Sequence, residues 1–127
     1  MDREDIRNAI FNGGIERNRT IFSKIMDKWS LMVLYMLDKQ SPMRFNELHR
    51  SIPDISQKML TSTLKNLESL KLVKRTVIAA VPVKVEYRLE EKTSELISII
   101  DSLLVMSIKE YGHFSTKKQD SSRLLRR

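Results

Sequence analysis

At Leu72 the spacing of apolar residues changes from about 3.6 to 2. Upstream, Leu60, Leu64, Leu67 and Leu70 recur at helical intervals, with Met59 and Thr63 on the flanks. Downstream, Val73, Arg75 and Val77 alternate with Lys74 and Thr76, and then Val83, Val85, Tyr87 and Leu89 alternate with Lys84, Glu86 and Arg88. Ala79-Ala80-Val81-Pro82 lies between the two alternating runs. This order predicts a helix over 56–69, capped by Ser56, that feeds an antiparallel hairpin with an extended tip.

The rest of the chain reads as helices. Ile6, Ile10 and Phe11 form a short helical stripe ended by Gly13 and Gly14, and a second helix is expected from Ile15 to Ile25. Asp27 is placed to cap a strongly apolar helix over 28–38, with Trp29, Met32, Val33, Met36 and Leu37 on one stripe and Leu31 and Leu34 beside it. Ser41-Pro42 breaks that helix. Met43-Arg44 is expected as a short strand before a two-turn helix over 45–51, with Phe45 and Leu48 inward. Pro53-Asp54-Ile55 makes a turn. Residues 91–112 return to helical spacing through Leu96, Ile99, Ile100, Leu103, Leu104 and Ile108.

Charge limits the choice of partner. The 127 residues carry 23 Lys and Arg against 16 Asp and Glu, a net charge of +7. Lys117, Lys118, Arg123, Arg126 and Arg127 crowd the last fifteen positions, opposed by Asp120 alone. A basic balance suits a polyanion, because neutralised phosphates release condensed counterions; a solvated surface with a basic tail is the plainer reading. No run of about 18 apolar residues occurs and the start of the chain is polar, so a membrane span and a signal peptide are not expected and the cytoplasm is the expected compartment. The sequence has no cysteine, which removes disulfides, thiolate metal sites and thiol-based sensing.

The helix over 56–69 carries the chemistry. A helix that reads DNA must be apolar where it docks on its own domain, and polar or positive where it enters a groove walled by phosphates. At about 100° per residue, Lys58, Thr61, Ser62, Lys65 and Ser69 gather opposite the leucines, with Glu68 to one side. Lys58 and Lys65 reach phosphates or guanine edges, Gln57 and Thr61 suit base edges or a thymine methyl, and Ser62 lets the backbone come close. An ordinary amphipathic surface helix shows the same pattern; the hairpin behind it favours DNA. The elements predict a mainly α, α+β winged helix-turn-helix with a two-stranded wing.

Several blocks, in order, resemble the HxlR-type family of winged helix-turn-helix regulators: Lys28-Trp29, Arg44-Phe45-Asn46-Glu47-Leu48, Ile55-Ser56-Gln57-Lys58-Met59-Leu60-Thr61, Val81-Pro82-Val83-Lys84-Val85-Glu86-Tyr87-Arg88-Leu89 and Tyr111-Gly112. The resemblance implies a sequence-specific DNA-binding transcriptional regulator, working as a homodimer on double-stranded DNA at a near-palindromic operator. It implies one domain over 1–112: a dimerisation segment at 1–26, a DNA-binding core at 27–89 and a dimerisation helix at 90–112, followed by a basic tail at 113–127. Its DNA contacts would be Ser56, Gln57, Lys58, Thr61, Ser62 and Lys65 in the major groove, Arg44 on phosphate, and Pro82, Val83 and Lys84 at the wing tip. The chain departs from the family pattern at three places. Glu16-Arg17-Asn18-Arg19 stands where many members carry a cysteine, Lys71 replaces the glycine after the recognition helix, and Glu90 and Thr93 replace a threonine and a glycine after the wing.

Other signals weigh less. His49 and His113 lie far apart with no cysteine or clustered carboxylates, so no metal is expected. No Gly-rich phosphate loop and no Ser/His/Asp arrangement is visible, and neither an enzyme nor a cofactor is expected. Trp29 and the methionines read as core filling. A small-molecule effector of unknown identity is the remaining partner, expected between the last helix and the core near Met32, Met36, Leu103 and Leu104. The alternative to a DNA regulator is a winged-helix protein-interaction module without specific DNA binding.

Overall fold

Local hydrogen bonds start the helices where the sequence places their caps. The computed structural model describes residues 1–12 and 25–111, and the chain divides into two units, residues 1–93 and 94–127. The expected helix from Ile15 to Ile25 and the basic tail therefore lie outside the described residues, wholly or nearly so.

Helix α1 (Arg3–Phe11) begins with a reciprocal box: Asp5 N–H donates to Asp2 at 2.8 Å and Asp2 N–H donates to Asp5 at 2.9 Å. The first of these bonds holds the Asp2 carboxyl below its ordinary range. None of the helix's residues is buried, and Ile6, Ile10 and Phe11 are exposed.

Helix α2 (Lys28–Lys39) is capped by Asp27, which accepts from the Ser30 N–H at 2.9 Å and from the Ser30 hydroxyl at 2.7 Å. That second bond allows Ser30 to be buried. The buried ridge is Ser30, Val33, Leu34 and Leu37, which is rotated from the stripe expected in the sequence. Trp29, Met32 and Met36 are only half-buried. The Trp29 ring lies under the Lys28 ammonium, 4.7 Å from ring centre to nitrogen, so this tryptophan sits at the edge of the core and does not fill it.

Strand β1 (Met43–Arg44) leads straight into helix α3 (Phe45–Ser51), whose first turn is fixed by Arg44 N–H donating to the Glu47 carboxylate at 2.8 Å. Leu48 is buried as expected, but Phe45 is half-exposed, and its ring stacks on His49 with centroids 6.2 Å apart. The turn that follows uses Asp54 at φ 65°, a left-handed position that Asp tolerates better than most residues. His49 Nε2 donates to the Ile55 carbonyl at 2.9 Å and ties α3 to the turn. Ser56 caps helix α4 (Gln57–Ser69), accepting from Met59 N–H at 3.0 Å. The helix buries Leu60, Thr63, Leu64 and Leu67 and leaves Met59 exposed.

Helix α4 ends in a left-handed cap. Leu72 N–H donates to the Leu67 carbonyl and Lys71 N–H to the Glu68 carbonyl, both at 3.0 Å, with Lys71 at φ 61°. This is the Schellman pattern, which normally takes glycine at the position Lys71 holds. The Leu72 carbonyl then accepts from Glu90 N–H at 3.0 Å and from the Thr93 hydroxyl at 2.7 Å. The fully buried Thr93 thus pins the far end of the hairpin to its near end.

Strands β2 (Val73–Ile78) and β3 (Lys84–Leu89) pair antiparallel from Val73↔Leu89 to Ile78↔Lys84. The wing is a three-stranded sheet in the order β1-β3-β2, because Met43 and Arg44 add to the outer edge of β3 opposite Tyr87 and Glu86. Val73 is buried and Val77 is not, since the hairpin runs out past the core. The core of the first unit is Val33, Leu34, Leu37, Met43, Leu48, Ile52, Ile55, Leu60, Leu64, Leu67 and Val73. Each such side chain is worth about 1.5–3 kcal/mol when removed from water.

Helix α5 (Thr93–Tyr111) forms the described part of the second unit from Ser94 onward. Its 19 residues extend about 28 Å at 1.5 Å per residue. Ile99, Leu103 and Met106 recur at i, i+4 and i+7 and are all exposed, as are Leu104, Val105 and Ile108. Among the described residues no helix is long and apolar enough to cross a membrane.

Candidate nucleic-acid interface

The burial of Leu60, Thr63, Leu64 and Leu67 on one side of α4 forces the other side outward. Gln57, Lys58, Thr61, Ser62 and Lys65 are all exposed and line one open surface patch. Ser56, expected as a contact, is first of all the cap; its oxygen accepts from Met59 and its proton remains to be donated. Glu68 and Ser69 lie at the end of this face, where the Ser69 hydroxyl bonds the Asn66 carbonyl at 2.7 Å.

The patch is continuous with two recesses. Thr61 and Lys65 also line a recess between α4 and the sheet, together with Phe45, Glu68, Arg75 and Tyr87. Phe45 in turn lines the next recess, between α3 and the hairpin, with Arg44, Asn46, Arg50 and Val83. Phe45 therefore stands as the partition between two polar hollows, which is why it is not in the core. Five cations face this surface: Lys58, Lys65, Arg75, Arg44 and Arg50. The carboxylates that line the same recesses are Glu68 and Glu47, and Glu47 already accepts from the Arg44 backbone; Glu86, opposite Arg44 in the sheet, lies 3.7 Å from Arg88.

Of the residues singled out in the sequence, Gln57, Lys58, Thr61, Ser62 and Lys65 come together on α4, and Arg44 meets Val83 across the second recess. Pro82 and Lys84 are exposed at the hairpin end, apart from these linings. Sequence reasoning missed Arg75 and Arg50. The alternation that placed Arg75 with Val73 and Val77 held the signal, since a charge on an otherwise apolar strand face implies that this face leaves the core.

Of the residues expected around an effector, Met32 and Met36 line a recess of about 290 Å³ with Tyr35, Ile52 and Pro53. Among the described residues no group of three or more His, Cys, Asp or Glu is placed to hold a metal ion.

Residues 24–114 match the model of the HxlR-like helix-turn-helix family. The chain belongs to this family. As an HxlR-like protein it is a DNA-binding transcriptional regulator, with the winged-helix fold of its solved relatives. An HTH-type transcriptional regulator of Halalkalibacterium halodurans is 42% identical over 91 residues, which are 72% of this chain and 80% of that protein. The regulator YodB of Bacillus subtilis is 39% identical over 82 residues, covering 65% of this chain and 72% of its own length. The structure of diamide-treated YodB superposes with a TM-score of 0.67 at 34% identity, over 75% of this chain and 93% of that one. The redox regulator HypR in its reduced form gives 0.63 at 33% identity, over 73% and 91%. Unlike a thiol-switched regulator, this HxlR-like sequence contains no cysteine with which to sense an oxidant.

Proposed function

We propose that the protein is a sequence-specific regulator that binds a near-palindromic operator as a homodimer in the cytoplasm. The single observation that carries this reading is the exposed face of α4, where Gln57, Lys58, Thr61, Ser62 and Lys65 form one patch with no carboxylate among them. In the major groove, Lys58 and Lys65 serve guanine edges or phosphates, and Gln57 and Thr61 serve base edges. Arg44 contacts phosphate, and Pro82, Val83 and Lys84 at the wing tip touch the adjacent backbone or minor groove.

The dimer rests on apolar surface at both ends of the chain. Ile6, Ile10 and Phe11 on α1, and Ile99, Leu103 and Met106 on α5, are exposed, an arrangement that favours burial in a second copy. The organisation is then a dimerisation segment at 1–26, a reading core at 27–89, a dimerisation helix at 90–112 and a basic tail at 113–127. A small apolar effector would seat in the recess lined by Met32, Tyr35, Met36, Ile52 and Pro53.

Selection of bound sequences from a random duplex pool tests the proposal. The expected result is an enriched two-fold symmetric site with half-sites about 10 bp apart or a multiple of that. A pool that stays random, with equal affinity for selected and scrambled duplexes at fixed salt, refutes it and turns the basic face toward an acidic protein partner.

A further inference from the structure

The recess between α4 and the hairpin holds a cation that the reading above does not use. Arg75 sits in β2 opposite Tyr87, is exposed, and has no hydrogen-bond or ion-pair partner for its guanidinium among the described residues. It shares the recess with Lys65, Thr61 and Tyr87. The nearest carboxylate in that lining is Glu68, and no ion pair joins it to either cation. The hollow measures about 420 Å³, ample for a phosphate group.

We propose that Arg75 and Lys65 form a phosphate seat, which holds the sugar–phosphate strand separating the groove entered by α4 from the groove reached by the wing tip. This rests on the proposed mode of DNA binding and adds a position to it. When a helix lies in one groove and a hairpin tip reaches the next, a single strand runs between them. The recess is the space between that helix and that hairpin, so the strand crosses its mouth. A guanidinium matches two phosphate oxygens at once. Tyr87 offers a hydroxyl donor beside it. Phosphate contacts set register and carry no base information, so Arg75 tunes affinity without tuning sequence preference.

The test uses the full chain and two duplexes, the selected operator and a scrambled control, titrated at several salt concentrations. Losing one phosphate contact in each protomer removes two from the dimer and flattens the slope of log K against log[salt] by about 1.8, which is roughly 50–100-fold in affinity at 0.1 M salt. Arg75→Ala is expected to lose this much on both duplexes, with their affinity ratio and the melting temperature unchanged. Arg75→Lys is expected to recover the slope. An unchanged slope in Arg75→Ala overturns the inference, whether or not stability falls with it, and so does a loss confined to the operator. Wild-type protein that binds both duplexes equally overturns the operator reading alone, and Arg75 is then still judged by its slope on either duplex.

Discussion

Lys71 is the position where the backbone asks for something its side chain opposes. It sits at φ 61°, where a Cβ crowds the neighbouring carbonyl at about 1–2 kcal/mol. The two hydrogen bonds of the cap, Leu72 to Leu67 and Lys71 to Glu68, run from backbone groups that glycine also has. Lys71→Gly therefore removes the steric cost and keeps both bonds. Against this stands the larger freedom of glycine in the unfolded chain, about 0.4–1 kcal/mol. The net expectation is a gain of about 0.5–1 kcal/mol, or a melting temperature higher by about 2–4 °C. Lys71→Ala is the control, because it removes the charge but keeps Cβ, and it should give no gain. Both variants are measured by urea and thermal unfolding at one fixed protein concentration, since any dimer links stability to concentration. If Lys71→Gly is no more stable than wild type, the strain argument fails. If Lys71→Ala gains as much, the effect belongs to the charge and not to the backbone.

Four further outcomes are expected. Lys58→Ala combined with Lys65→Ala should weaken operator binding and reduce its salt slope by about 3.6 for the dimer, two contacts per protomer, while the unfolding midpoint stays within error of wild type; a lower midpoint places these lysines in the fold. Leu34, fully buried on α2, should cost about 2–5 kcal/mol on truncation to alanine, read by chemical denaturation. The α1 cap depends on ionised Asp2, whose carboxyl the Asp5 N–H bond holds below the ordinary carboxylate range. Its contribution is therefore complete above that ordinary range and fades as pH falls through the lowered folded value, visible as declining α1 helicity by NMR that is absent in Asp2→Asn. Ile99→Glu with Leu103→Glu should convert dimers to monomers in sedimentation velocity without loss of helical signal, and dimers that persist would place the two-fold contact elsewhere.

Much of this protein is written in local signals. Asp27 and Ser56 cap the helices they were expected to cap, and the period change at Leu72 marks the switch from α4 to β2. The polar face of α4 follows from 100° geometry alone. Such features depend on neighbours within about four residues, which sequence displays directly.

What tertiary structure decided is direction. Periodicity shows that α2 has an apolar side, but Val33, Leu34 and Leu37 became the ridge, with Ser30 in place of Trp29, because the elements packed against α2 chose among its many apolar positions. Phe45 was expected inside and instead divides two recesses, since the short α3 offers only Leu48 to the core. Val73 is buried and Val77 exposed on one strand because the sheet outruns its support. Arg75 reached the side of Lys65 only through the pairing of β2 with β3 and the packing of that sheet near α4. Contacts between residues distant in sequence leave no spacing to read, so the chain alone determines the elements and their faces, and the fold determines which faces meet.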